Sequence, residues 1–333
     1  MPVYARCVTR GGDKRSRLRA AAPWLRGGAS VAMLAVLLRR VHLSSLLPSR
    51  GEGNVGQLVA AIGVMLAAIV LSAVRWQRVL AGLDAPSRLR SLVAHTFAGM
   101  FVSNFLPSTI GGDVLRVSRL SAANGRPPTS FASVVLERLT GWVVLPVISL
   151  TALTMNPGLR RLGAASHVAL GLSVATLVLL AAVLAGASSR RFGGRLADHQ
   201  GWLRFVGAIH LGARRFRDHP LAALEVLAAA FVYQLAVVAA AFLASAALDL
   251  HVGWTAMLAF VPMVAVVQVL PVTIGGLGVR EGAFVLFLHP LGVGTHQAIT
   301  LGLLFYGITL AASLAGAPAF AVGRPSVGNQ AMA

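Results

Sequence analysis

Apolar residues in this chain gather into runs of about twenty, separated by shorter stretches rich in arginine. A run of about that length lets an α-helix, rising 1.5 Å per residue, cross the ~30 Å hydrocarbon core of a bilayer. Six runs predict full spans over 29–47, 55–74, 129–154, 166–187, 221–248 and 296–321. Arg39 and Arg40 interrupt the first, so that helix must tilt, or its arginines must reach the outer interface through their own stems. No small-residue cleavage site follows it, so it reads as a retained helix after a basic tail and not as a removed signal. Two further apolar segments, 91–112 and 254–288, are each broken internally by proline and a glycine pair. The expected fold class is all-α and integral to the membrane: about six transmembrane helices and two re-entrant broken hairpins, arranged as an inverted repeat.

Composition supports the same picture. Only 12% of the 333 residues are charged and 56% are hydrophobic, whereas a soluble domain carries about 25% charge. No polar stretch is long enough for a separate soluble domain, which excludes an appended catalytic one. The expected organisation is a basic tail (1–28), one membrane domain (29–321) and a short C-terminal tail (322–333).

The net charge of +19 would suggest nucleic acid in a soluble protein. Here the basic residues lie between apolar runs, without interleaved surface aromatics, so they read as determinants of topology and no nucleic-acid partner is expected. The tail holds seven Lys and Arg, 75–90 four, 113–128 three, 188–220 seven and the C-terminal tail one, 22 in all on one side. The other side holds five: Arg39, Arg40, Arg50, Arg160 and Arg161. The basic side is expected to be cytoplasmic, with both termini there, in a bacterial inner membrane. Both flanks of 91–112 are basic, so that segment should enter and return on the cytoplasmic side, and by parity 254–288 should do so on the outer side. Loop 188–220, with Trp202, Leu203, Phe205, Val206, Ile209 and Phe216 on one helical face, is expected on the cytoplasmic surface against anionic headgroups, or as a plain basic loop.

The breaks are copies of one motif. Leu106-Pro107-x-Thr109-Ile110-Gly111-Gly112-x-x-x-Arg116 recurs as Leu270-Pro271-x-Thr273-Ile274-Gly275-Gly276-x-x-x-Arg280. Proline lacks an amide hydrogen and clashes with the preceding turn, and the glycines open backbone angles closed to other residues. Freed backbone groups in a bilayer persist only inside protein or along a wet cavity. In inverted-repeat transporters such breaks form the substrate site near the midplane. The alternative is that Pro107, Gly111, Gly112, Pro271, Gly275 and Gly276 only shape two hairpins for close packing.

Ionisable groups within these segments cost at least about 2.5–3.5 kcal/mol each at the bilayer centre. Glu137 and Arg138 lie inside the run 129–154, Asp113 follows the first glycine pair, and Glu281 follows Arg280. Adjacent helical residues point about 100° apart, so Glu137 should reach Arg116 or Arg280, and Arg138 should reach Asp113 or Glu281. Such pairs could lock the hairpins structurally. They could also line a cavity where arginines hold an anionic headgroup. Asn104 and Gln268 each stand three residues before the motif proline, and either line that cavity or cap freed carbonyls. The single cysteine, Cys7, and nine scattered histidines form no metal-ligand pattern. No P-loop, nucleophile elbow or zinc-protease motif occurs, so no catalytic residue, metal or cofactor is expected.

Asn104-x-x-Pro107-x-x-x-Gly111-Gly112-Asp113-x-x-Arg116, then Glu137-Arg138, then Pro271-x-x-x-Gly275-Gly276-x-Gly278-x-Arg280-Glu281-Gly282 resemble the lysylphosphatidylglycerol synthase transmembrane region, or flippase-like domain. The resemblance runs over about 30–321. It implies a membrane unit of the kind thought to move aminoacylated phosphatidylglycerol between leaflets, made elsewhere by a separate cytosolic domain. The lysyltransferase itself is not implied. The expected function is translocation of a phospholipid or other lipid-linked anionic headgroup, including polyprenyl-phosphate species. Arg116, Arg138 and Arg280 would hold the phosphate, and Asp113, Glu137 and Glu281 would orient them. The rival readings are a small-solute carrier, a membrane enzyme on lipid-linked sugar with Glu137 or Glu281 as acid or base, and a docking partner for a separate lipid-modifying enzyme. A homo-oligomer is compatible with each.

Overall fold

The computed structural model describes residues 52–103, 110–188, 203–269, 276 and 278–316. Every regular element among them is helical: α1 (Glu52–Gly82), α2 (Leu89–Ser103), α3 (Ile110–Asn124), α4 (Pro127–Met155), α5 (Ala164–Ser188), α6 (Leu203–Asp218), α7 (Pro220–Ala247), α8 (Trp254–Gln268), α9 (Val279–Leu288) and α10 (Thr295–Leu314). Five of these (α1, α4, α5, α7 and α10) are long and apolar enough to cross a membrane. They correspond to five of the six expected spans. The sixth, 29–47, lies outside the described residues, as do the tails.

α1 and α7 run antiparallel along most of their length. Asn54 donates to Asp249 at one end (3.1 Å) and Arg78 to Glu225 at the other (3.0 Å). Ala61 and Ala68 on α1, with Ala240, Ala241 and Ala244 on α7, are fully buried in the same core. Small side chains let backbones approach closely, a main source of helix association where lipid removes the hydrophobic drive. The core continues through α8, α9 and α10, where Phe260 and Phe287 stack at 5.2 Å.

One expected boundary is corrected. α1 does not stop at 74 but continues to Gly82, so Arg75 and Arg78 are helical and Arg75 is buried. Apolar positions carry the helix on: Trp76, Val79, Leu80 and Leu83 are buried. It ends in a Schellman turn, with the Ala85 amide donating to the Leu80 carbonyl, the Asp84 amide to Ala81, and Asp84 at φ 53°. Pro86 then forbids a restart.

α2 and α3 flank the first break and lie against each other where Gly99 meets Gly112. A Cβ on Gly112 would overlap the Gly99 carbonyl and Ser103 Oγ. The pair leaves the turn after α1 and comes back to it, since Arg126 donates to the Asp84 carbonyl (3.4 Å). α8 and α9 flank the second break. α8 begins at the other end of α4, where Asn156 donates to Thr255 (3.1 Å), and the Phe260–Phe287 stack sets the end of α9 beside the middle of α8. The breaks, with Asn104, Pro107, Pro271 and Gly275, lie outside the described residues.

The basic segment 203–218 forms the expected amphipathic helix, α6. Gly212 sits against Leu136 of α4 and Phe216 against Gly82 of α1, with Ala208 and Ile209 buried. At these positions the helix packs on protein, and glycine at 212 lets it close onto Leu136. Arg214 and Arg217 remain exposed.

Candidate functional site

α4 carries the centre of the site. Glu137 stands ten residues past Pro127, about 15 Å along the helix, and is 1% exposed. An isolated carboxylate there would be strongly destabilising. Three donors surround it. Arg75 Nη2 reaches Oε1 at 2.7 Å, Ser72 Oγ reaches the same oxygen at 3.1 Å, and Arg116 Nη2 bonds Oε2. Ser72, Arg75 and Trp76 occupy one face of α1 at i, i+3 and i+4. Trp76 Nε1 donates to Ser133 Oγ (2.9 Å), fixing the indole beneath the Arg116 guanidinium at 4.1 Å. Cation–π contact of this kind strengthens as water is excluded.

Next to it, Arg138 points away from Glu137 on α4, turned by the 100° step of the helix. Its Nε and Nη2 bond both Asp113 oxygens, at 2.9 and 3.0 Å. Asp113 is also 3.4 Å from Arg116 Nη1. The result is a chain of alternating sign, Arg75–Glu137–Arg116–Asp113–Arg138, joining α1, α3 and α4. It holds three cations against two anions. Arg75, Glu137 and Arg116 are buried and Asp113 is partly so, while the Arg138 side chain is 48% exposed. Arg75 Nε and Arg116 Nε are buried without a hydrogen-bond partner.

Arg280 and Glu281 are placed elsewhere. Arg280 donates twice to Glu281 Oε1 (3.1 and 2.9 Å) and stacks on Tyr306 at 4.8 Å. Glu281 Oε2 accepts the Gly278 amide at the start of α9, where Gly278 has φ 85°. The pair is 4% and 0% exposed, and it is neutral as a unit. Adjacent residues pair here because Glu281, at the third position of the helix, folds back onto its own N-cap and the long arginine follows it. Gln268 lies against Gly276, which has φ 74°.

The geometry therefore brings Asp113, Arg116, Glu137 and Arg138 together, with Gly111 and Gly112 at the first turn of α3. It adds Arg75, Ser72 and Trp76, which sequence reasoning left in a loop or unmarked. Their signal was the i, i+3, i+4 spacing leading into Val79, Leu80 and Leu83. No group of His, Cys, Asp and Glu able to hold a metal occurs among the described residues.

The family model for the lysylphosphatidylglycerol synthase TM region matches residues 24–316. The chain belongs to this family. Among curated proteins, none matches it. The match covers the membrane region of the lysylphosphatidylglycerol synthase family, with no catalytic domain detected, and ties this membrane protein to lipid handling. In this lysylphosphatidylglycerol synthase TM region, the first motif copy supplies the open ion-pair chain and the second a closed pair at a helix cap.

Proposed function

We propose that this protein translocates a phospholipid or lipid-linked species with an anionic headgroup between the leaflets of the bacterial inner membrane. The observation that carries the reading is the unbalanced chain of three arginines and two carboxylates, set among apolar helices and open at Arg138. A buried cluster with one surplus positive charge is completed by a singly charged anion, and a phosphodiester has that charge. Guanidinium groups hold phosphate through paired hydrogen bonds. The acyl chains would stay in lipid while the headgroup passes Arg138. Membership of a family whose name is that of a lipid synthase's membrane region supports the lipid over a small solute. The second motif copy, closed on itself, is read as a support for the fold and not as a phosphate ligand.

α2 and α3 are 15 residues each, about 22 Å, too short to cross the core singly. Their return to the turn after α1 supports a re-entrant hairpin open to the cytoplasm, and α8–α9 is its outward counterpart. Arg78, Arg88, Arg90, Arg126, Arg214, Arg215 and Arg217 are carried around that turn or on α6 beside it, which supports a cytoplasmic assignment for this end. The protein is read as non-catalytic.

The test is lipid translocation in proteoliposomes, comparing the intact protein with Arg138→Ala. Loss of anionic-lipid movement by tenfold or more is expected. Equal rates in the two would overturn the reading.

A further inference from the structure

We propose that Tyr233 touches the ligand: its hydroxyl completes, with Arg75 and Arg138, a three-donor cradle for a phosphate group over Gly141. The inference rests on the anionic-headgroup reading above and adds α7 to a site otherwise built from α1, α3 and α4.

Arg75 lies over the Tyr233 ring at 4.7 Å, so the phenol and the guanidinium share one position between α1 and α7. Arg138 stands one turn before Gly141, on the side of α4 that Arg75 Nη1 touches. Each member keeps donor capacity. Arg138 uses Nε and Nη2 on Asp113, leaving Nη1. Arg75 uses Nη2 on Glu137, and its Nε has no hydrogen-bond partner although the residue is only 6% exposed. The Tyr233 hydroxyl makes no hydrogen bond among the described residues.

Arg75 meets α4 at a residue that helix stability disfavours. Glycine inside a helix costs about 1 kcal/mol relative to alanine. Gly141 nevertheless sits mid-span in α4, three residues after Arg138 and on the same face. A Cβ there would stand 3.3 Å from Arg75 Nη1, tighter than ordinary contact. Any larger side chain would press on Arg75. A tetrahedral phosphate oxygen is the acceptor that three converging donors, two of them cationic, would hold.

Tyr233 has two separable roles, a platform for Arg75 and a donor to the ligand. Tyr233→Phe keeps the ring and removes the hydroxyl; Tyr233→Leu removes both. The measurement is binding of radiolabelled dihexanoyl-phosphatidylglycerol to the purified full-length protein in detergent, alongside its Tm. Inorganic phosphate as competitor distinguishes a lipid headgroup from a free phosphate. Tyr233→Phe should weaken binding about tenfold with Tm unchanged, and Tyr233→Leu should lose both binding and thermal stability. Tyr306→Phe, beside the closed Arg280 pair, should behave as the intact protein. Unchanged binding in Tyr233→Phe, or a Tm loss in it as large as in Tyr233→Leu, overturns the inference and leaves the anionic-headgroup reading standing. Absence of binding by the intact protein overturns both.

Discussion

Glu137→Gln isolates the effect of one charge in a water-excluded site. The carboxylate accepts three hydrogen bonds, two on Oε1 from Arg75 and Ser72 and one on Oε2 from Arg116. The amide keeps one acceptor oxygen, which can go on serving Arg75 and Ser72. It turns an NH2 group toward Arg116, donor against donor, so one charge-assisted bond is lost outright, worth about 1.5–3 kcal/mol. Arg116 then keeps Asp113 at 3.4 Å and the Trp76 ring as its polar and aromatic partners among the described residues. Breaking a buried pair from one side costs about 3–5 kcal/mol, and the retained bonds set the expectation near the low end, about 3 kcal/mol. That is roughly a hundredfold in the folding equilibrium. Reversible unfolding in mixed micelles measures it directly. The triple variant Arg75→Met, Arg116→Met, Glu137→Leu carries no buried charge at these three positions. It should recover most of the lost stability, since an apolar replacement of a buried ion network is often neutral or better, while losing lipid binding. A Glu137→Gln protein within about 0.5 kcal/mol of the intact one would refute the claim that Glu137 holds two arginines in place.

Two further outcomes follow from the packing. Gly112→Ala forces a methyl into the Gly99 carbonyl and should destabilise by about 1–3 kcal/mol through overpacking. Gly171→Ala on α5, with nothing within 4 Å of the added Cβ, should be neutral or slightly stabilising; both are read as Tm shifts. Arg280→Met leaves Glu281 buried with only the Gly278 amide as partner and should cost about 3 kcal/mol, yet binding of dihexanoyl-phosphatidylglycerol per folded molecule should not change.

Much of this architecture was legible in the chain itself. Runs of about twenty apolar residues have one physical solution in a bilayer, and five of the six expected spans appear as helices, three of them within two residues of their predicted limits. The step angle left two partners for each, Arg116 or Arg280 for Glu137 and Asp113 or Glu281 for Arg138, and the structure pairs them with Arg116 and Asp113. A 100° step sends neighbours to different helices, and Arg116 and Asp113 were the opposite charges the first motif offered. Arg75 was missed for a reason that is equally physical. Counting arginines outside apolar runs assigns them to loops, but an arginine with Val79, Leu80 and Leu83 still ahead of it belongs to the same helix and needs a buried partner. The Arg280–Glu281 pair escaped because the step-angle argument holds in a helix interior and weakens in the first turn, where side chains fold back to unpaired amides. The placement of α6 depended on Gly212, whose lack of a side chain signals close approach only once Leu136 is known to face it.

The alanine seam between α1 and α7 limits how this protein can move. A seam built on alanines has few side chains that can swing into a gap, so parting the two helices would open an unfilled slot and forfeit dispersion contacts along it. Those two rods should therefore travel as one rigid spar. Because the spar carries Arg75 on one rod and Tyr233 on the other, any alternation between inward- and outward-facing shapes must come from α3 and α4 sliding past it, carrying Asp113, Arg116 and Arg138 across a stationary post.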